Sequence, residues 1–230
     1  MEIAKVIGNK KLTHDVFELT LKPPKSFSYK AGQYITIKIN DKKTPCFRAY
    51  SLSSIPEDKH IQTCIKVVKN GRGSNWLKQR KPGDEIEFFG PNGKFLFKTP
   101  KNKKVLFIAT GTGITPIISI IRDQLKKGNT QPFYLLFGLR YIKDIFYRDL
   151  FERLEKKHKN FTYDVTLSQP EKDNWDGLKG RVTFHLKNID HDPGNTEAYL
   201  CGLKAMIISV TKILKQKDFK EKVIHFEKFD

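Results

Sequence analysis

Residues Tyr34–Ile39 alternate without a break, with Ile35, Ile37 and Ile39 on one face and Thr36 and Lys38 on the other. A two-residue period of this kind predicts a strand with one buried face. Val16–Leu21 repeats it more weakly, and Ile61–Val68 and Glu85–Phe89 read the same way as Tyr34–Ile39. Turn formers separate these runs at Pro23-Pro24, Asn40-Asp41, Asn70-Gly71, Pro82-Gly83-Asp84 and Pro91-Asn92-Gly93. Short strands at such spacing predict a small antiparallel barrel.

The pattern changes after Thr99-Pro100-Lys101-Asn102-Lys103-Lys104, a polar stretch that reads as a linker. Val105–Ala109 and Phe133–Leu139 are continuous apolar runs, as a parallel strand covered on both faces requires. Between them Thr115–Lys127 has helical spacing and stops at Gly128. A helix over Asp144–Lys157, a strand over Phe161–Leu167, a strand over Glu197–Cys201, a helix over Ala205–Leu214 and a strand over Val223–Phe226 complete the alternation. Strand and helix in turn predict a Rossmann-like parallel sheet covered by helices. The expected division is a β-barrel domain over 1–99 and an α/β domain over 100–230.

Composition narrows this picture only a little. A chain of 230 residues with 38% hydrophobic and 12% aromatic content can bury a core, which excludes a disordered polymer. Cys46, Cys64 and Cys201 have neither a disulfide-framework nor a metal-site spacing, so no metal centre is expected. No apolar run approaches membrane-spanning length, and the N-terminus has no apolar leader core, so a cytoplasmic protein without membrane insertion is expected. The net charge of +18 suits an anionic partner or a solvated lysine surface. Its lysines, including Lys42-Lys43 and Lys101 to Lys104, are dispersed along the chain, which favours the second.

Three local patterns carry candidate chemistry. In Arg48-Ala49-Tyr50-Ser51, Arg48 and Tyr50 share one side of a strand. Tyr50 can stack on a flat ring, Arg48 can bind a pyrophosphate, and Ser51 can hydrogen-bond a ring nitrogen. Taken alone, the run reads better as an ordinary strand with an exposed Arg and a packed Tyr. In Asn70-Gly71-Arg72-Gly73-Ser74-Asn75, two glycines allow a tight loop, and Ser74 can cap a helix beginning near Asn75, whose N-terminus suits phosphate. In Thr110-Gly111-Thr112-Gly113-Ile114-Thr115-Pro116, a glycine turn between strand and helix suits a second pyrophosphate. The third glycine of the dinucleotide fingerprint is replaced there by Pro116.

With these residues in place, the chain resembles the ferredoxin–NADP reductase superfamily along nearly its whole length. Arg48 to Ser54 fits the family's R-x-Y-S-[LI]-[SA]-S, and Gly71 to Leu77 fits G-x-x-S-x-x-L. Gly32-Gln33-Tyr34, Gly90 to Phe95 and Gly111 to Pro116 match three further family motifs. The resemblance implies a six-stranded antiparallel Greek-key barrel holding FAD, then an α/β domain binding NADH or NADPH. It implies FAD contacts from Arg48, Ala49, Tyr50, Ser51, Ile65, Lys66, Val67, Gly71, Gly73, Ser74 and Asn75. It implies nicotinamide-dinucleotide contacts from Thr110, Gly111, Thr112, Gly113, Thr115, Pro116, Arg140, Tyr147, Cys201 and Gly202. Cys201-Gly202 would lie beside the nicotinamide, although a buried, inert thiol is the alternative. Glu227 would assist proton traffic and Phe229 would cover a flavin face, in a terminus that extends by Asp230.

Gln169 follows Ser168 where NADPH-using relatives often carry Arg, and Trp175 to Val182 resembles a run common in NADH-using relatives. Arg140, Lys143 and Arg148 could still bind a phosphate, so the expectation leans only slightly to NADH. The implied activity is hydride transfer from NAD(P)H to FAD, then electron delivery to an acidic carrier such as a ferredoxin, a flavodoxin or an oxygenase component. No iron–sulfur domain is fused to the chain, so a separate carrier is expected. Two alternatives remain. One is a flavin reductase that releases its flavin. The other is a basic nucleic-acid-binding barrel, which the Ile-rich strand face disfavours.

Overall fold

The computed structural model describes residues 1–41, 44–170, 175–187, 189 and 192–229. Lys42-Lys43 and Asp230 lie outside the described residues. The chain forms two compact units, Met1–Phe97 with Ile118–Asp123, and Lys98–Ile117 with Gln124–Asp230.

The first unit is a six-stranded antiparallel sheet. Its strands are β1 (Glu2–Lys11), β2 (Val16–Lys22), β3 (Tyr34–Ile39), β4 (Cys46–Ser51), β5 (Ile61–Lys66) and β6 (Glu85–Asn92), in the order β4-β3-β6-β1-β2-β5. The alternation in β3 is realised: Ile35, Ile37 and Ile39 are fully buried, and Thr36 and Lys38 are half-exposed. They meet Leu19, Leu21, Ile86 and Phe88 in one core. Each such side chain contributes about 1.5–3 kcal/mol on leaving water. The two end strands curl towards each other, and just beyond them the Ser53 N–H donates to the Gln62 carbonyl at 2.8 Å. A short helix, α1 (Arg72–Lys78), packs Leu77 into the same core. The Asn9 amide of β1 donates to the carbonyls of Leu77, Lys78 and Arg80, at 3.0–3.1 Å, and so closes the end of α1.

The second unit is a parallel sheet. It comprises β7 (Lys104–Thr110), β8 (Phe133–Leu139), β9 (Phe161–Leu167), β10 (Leu178–Lys179), β11 (Thr196–Leu203) and β12 (Ile224–Phe229), ordered β10-β9-β8-β7-β11-β12. Helices α2 (Ile114–Lys126), α3 (Arg148–Lys157), α4 (Val182–Leu186) and α5 (Lys204–Gln216) connect them. The continuous apolar run of β7 is buried throughout from Val105 to Ala109. Residues 118–123 in the middle of α2 belong to the first unit, where Ser119 Oγ donates to the Ser54 carbonyl and Arg122 pairs with Asp58 at 3.0 Å. Among the described residues no helix is long and apolar enough to cross a membrane.

The structure departs from the pattern in several places. The expected helix over Asp144–Lys157 starts only at Arg148, because Ile142–Asp144 form a 3-10 turn and Tyr147 takes a left-handed φ of 64°. Ser74 does not cap α1. The helix begins at Arg72 with Gly71 before it, and Ser74 lies inside the first turn. The left-handed residue of that turn is Asn70 (φ 62°), not a glycine. Thr99 is not a solvated linker residue: it is buried, donates to the Glu197 carboxylate at 3.0 Å and lies 3.1 Å from the Tyr199 hydroxyl.

Candidate functional site

The barrel end of the site is organised around Gly73, in the first turn of α1. A Cβ there would stand 2.9 Å from the Tyr50 hydroxyl and 3.0 Å from Arg48 Cγ. The bare backbone thus lets the strand pair Arg48 and Tyr50 settle onto the helix. Arg48 is exposed and Tyr50 half-buried on this side, whereas Ala49 and Phe47 point to the opposite, outer side of β4. Burial pushes the Tyr50 phenol up to about 12, against the opposing effect of Arg48, so the ring is neutral at ordinary pH. Ser51 is buried at the end of the strand.

The neighbouring loop is braced from within. Ser74 Oγ accepts the Val68 N–H at 3.0 Å, and the Asn75 amide donates to the carbonyls of Val68 and Gly71. These two side chains therefore shape the loop. The first-turn N–H groups of α1, which lack intrahelical acceptors, lie beside Arg48. Ile65 is buried, Val67 donates its N–H to the Asp15 carbonyl, and Lys66 pairs with the Asp15 carboxylate at 3.0 Å.

Sequence reasoning missed Arg72 and Asp41. Arg72 forks onto the Asp41 carboxylate through Nε (3.0 Å) and Nη2 (2.6 Å), and Nη2 also donates to the Thr44 carbonyl. The residues are 31 apart, so no local spacing could have joined them. A cavity of about 640 Å³ opens here, with Asn40, Asp41, Gly71, Arg72 and Trp76 in its wall. A flat neutral ring, two guanidinium groups and turn amides in one unit match the chemistry of a flavin with a pyrophosphate. The residues present therefore fit FAD.

In the second unit the strand order reverses between β7 and β11, the position where open α/β sheets bind ligands beyond the strand C-termini. Three chain segments meet there at glycine-only distances. A Cβ on Gly113 would lie 2.3 Å from the Cys201 carbonyl oxygen. A Cβ on Gly202 (φ 149°) would lie 2.2 Å from Thr110 Oγ1. Gly138, at the end of β8, would meet Val182 and Thr110 in the same way. Gly111 to Gly113 form a 3-10 turn, and Thr115 Oγ1 donates to the Thr112 carbonyl at 2.6 Å. Thr115 and Pro116 are buried. Thr110 Oγ1 is buried without a hydrogen-bond partner among the described residues, as an atom reserved for a ligand would be. The crevice fits a dinucleotide.

Cys201 and Glu227 are register partners across β11 and β12. Burial first, and the Glu227 charge second, hold the Cys201 thiol well above its usual range. It is a neutral side chain, not a nucleophile. Glu227 and Phe229 are half-exposed. At the far end of the crevice Arg140 is exposed, and its carbonyl accepts the Gln169 N–H. Tyr147 is half-buried with its ring against Phe146 and Phe151. Arg148 is paired with Glu152 at 2.9 Å, and Lys143 lies over the Tyr141 ring. Trp175 donates its indole N–H to the Leu178 carbonyl and packs on Gly177.

Comparison with known proteins agrees with this division of chemistry. Residues 4–115 match the oxidoreductase FAD-binding domain and residues 107–212 the oxidoreductase NAD-binding domain. Ferredoxin--NADP reductase B of Sorangium cellulosum is 30% identical over 99% of this chain and 97% of its own length. The phenol hydroxylase P5 protein of Acinetobacter pittii is 31% identical over 98% of this chain, which spans 65% of that protein. The structure of the Amycolatopsis cytochrome P450 reductase GcoB superposes with a TM-score of 0.90 at 24% identity, covering 99% of this chain and 69% of that one. A ferredoxin NADP+ reductase from Neisseria gonorrhoeae gives 0.86 at 22% identity, covering 98% and 97%. At these identities the structural likenesses show the fold.

Proposed function

We propose, because the chain belongs to the ferredoxin–NADP reductase superfamily, that it moves electrons from NADH to a separate acidic electron-carrier protein. The chain is an FAD-dependent NAD(P)H oxidoreductase. FAD, when bound, supplies the hydride-accepting and electron-releasing chemistry. The protein's own residues bind, orient and exclude water. We assign FAD to the barrel half (1–99) and the nicotinamide dinucleotide to the α/β half (100–230).

The observation that carries this reading is the approach of Arg48 and Tyr50 to Gly73, which leaves no room for a Cβ. Tyr50 offers a neutral aromatic face to a flavin ring, and Arg48 compensates pyrophosphate charge. Ser51 is proposed to hydrogen-bond the ring edge. In the other half, the turn from Thr110 to Gly113 receives a pyrophosphate, and the protonated Cys201 packs against the nicotinamide. Glu227 is the acid–base group for proton movement, and Phe229 shields the ring face until the nicotinamide arrives.

The lean to NADH rests on Gln169 beside Arg140 and on the ion pair that occupies Arg148. Of the three cations considered for a 2′-phosphate, Arg148 is paired with Glu152 and Lys143 lies over the Tyr141 ring, which leaves exposed Arg140. The acceptor is proposed as a ferredoxin or an oxygenase component, because relatives bear such names and the +18 surface suits an acidic carrier. The proposed compartment is the cytoplasm. The test is ferricyanide reduction with each nucleotide. A kcat/KM for NADH at least about tenfold above that for NADPH, or 1.4 kcal/mol, is expected. A preference for NADPH would overturn the nucleotide assignment. A colourless protein that reduces added flavin would make flavin a released substrate.

A further inference from the structure

Strand β12 has little in its own sequence to fix where it sits. Of Ile224–Phe229 only Ile224 is buried, and Phe226 is 46% exposed. It is the outer strand of the second sheet and pairs with β11 alone among the described residues. Register is specified weakly where no buried face demands it. Yet the crevice needs one register, the one that sets Glu227 beside Cys201 and Phe229 beside Leu203. A one-residue slip would turn both to the opposite face, and a two-residue slip would bring His225 or Phe229 beside Cys201.

We propose that His225 is a positioning residue for flavin reduction: with Glu197 and Tyr199 it locks the register of β12 and so holds Glu227 and Phe229 in place. The inference rests on the roles proposed above for those last two residues. Alternate residues of a strand share a face. Glu197, Tyr199, Cys201 and Leu203 therefore line one face of β11, with His225, Glu227 and Phe229 alongside on β12. His225 is the register partner of Tyr199, and their rings lie 4.6 Å apart at 31°. From there its Nε2 reaches back along β11 to Glu197 Oε2 at 3.0 Å. Against a carboxylate acceptor, Nε2 is the donor. Glu197 is only 8% exposed, and the same oxygen accepts from Thr99 Oγ1 at 3.0 Å. The Tyr199 hydroxyl accepts the Lys98 N–H at 2.9 Å. Both receiving groups are thus held by the segment before β7. A slip of β12 in either direction would break the ring contact and leave a buried carboxylate short of a donor, which is costly. Burying such a pair gains little stability over apolar residues of the same size, whereas fixing register is a use it serves well.

The test uses the full chain loaded with FAD. Stopped-flow mixing with NADH under anaerobic conditions gives the limiting rate of flavin reduction, and mass spectrometry reads amide hydrogen exchange over 224–229. His225→Leu is expected to lower the limiting rate by about tenfold, since misplacing reacting groups by about 1 Å can cost up to about 100-fold. It should also speed exchange over 224–229 while FAD affinity stays unchanged. His225→Gln keeps a donor near the Nε2 position and is expected to recover most of both. If His225→Leu fails to fold, His225→Asn, polar but too short to reach Glu197, takes its place with the same expected losses. Flavin reduction at the wild-type rate in the variant that lacks the donor would overturn the proposal. So would slowed reduction with unchanged exchange, or equal losses when the donor is kept in His225→Gln. A wild type whose flavin neither NADH nor NADPH reduces would overturn the reductase reading itself, and with it the role in flavin reduction.

Discussion

At the scale of single residues, Gly113 shows how close two backbones approach. Its missing Cβ is occupied by the carbonyl of Cys201, so Gly113→Ala forces two backbones apart. A loss of about 1–3 kcal/mol in stability is expected, as for other overpacked sites. Nicotinamide affinity should fall further than flavin affinity, which equilibrium titration of each would show. Cys201 makes a second case. A fully buried thiol held protonated by burial and by Glu227 should resist alkylation at pH 8 in the folded protein and react once unfolded. Mass spectrometry of iodoacetamide-treated protein checks this, and rapid native labelling would contradict it. Tyr50 adds a pH signature. Its phenol is raised in the folded state, so its contribution to stability is complete below pH 10 and is lost as pH rises towards about 12. The difference between wild-type and Tyr50→Phe ultraviolet titrations should show one phenol ionising near that upper value. Ionisation of that phenol near 10 would mean the ring is solvated.

Elements show how much of this was legible beforehand. Strands β3, β8 and β9 were readable to the residue because strict alternation or an uninterrupted apolar run leaves one strand phase possible. Strand β1 was not foreseen. Its sequence is rich in Lys and Asn, its register shifts between Val6 and Gly8, and only Ala4 and Val6 are fully buried. What holds it is pairing with β2 and β6 on both sides, which no local pattern records. The two-residue β10 and the short α4 escaped for the same reason. The Arg48–Tyr50 pair was legible because two residues on one strand share a face. The Arg72–Asp41 fork was not, since it joins distant loops. Asn9 illustrates a long-range support that can be tested. Removing its amide in Asn9→Ala takes this donor from the Lys78 and Arg80 carbonyls, while the Leu77 carbonyl keeps the Arg80 N–H. A loss of about 1–2 kcal/mol is expected from thermal or urea unfolding. No change would mean that water replaces the amide.

For the whole molecule, the surplus of positive charge bears on partner encounter more than on fold. Electron delivery to an acidic carrier should slow as salt rises, while reduction of a small neutral acceptor should not. Stopped-flow rates at low and high ionic strength separate the two. The central claim is that one chain holds FAD through its barrel half and reduces it with a nicotinamide dinucleotide held by its α/β half. The most direct measurement is the absorbance spectrum of the purified protein, recorded anaerobically before and after one equivalent of NADH. A flavin band that bleaches within the dead time of manual mixing is the expected result. A flavin band that neither NADH nor NADPH bleaches would contradict the account.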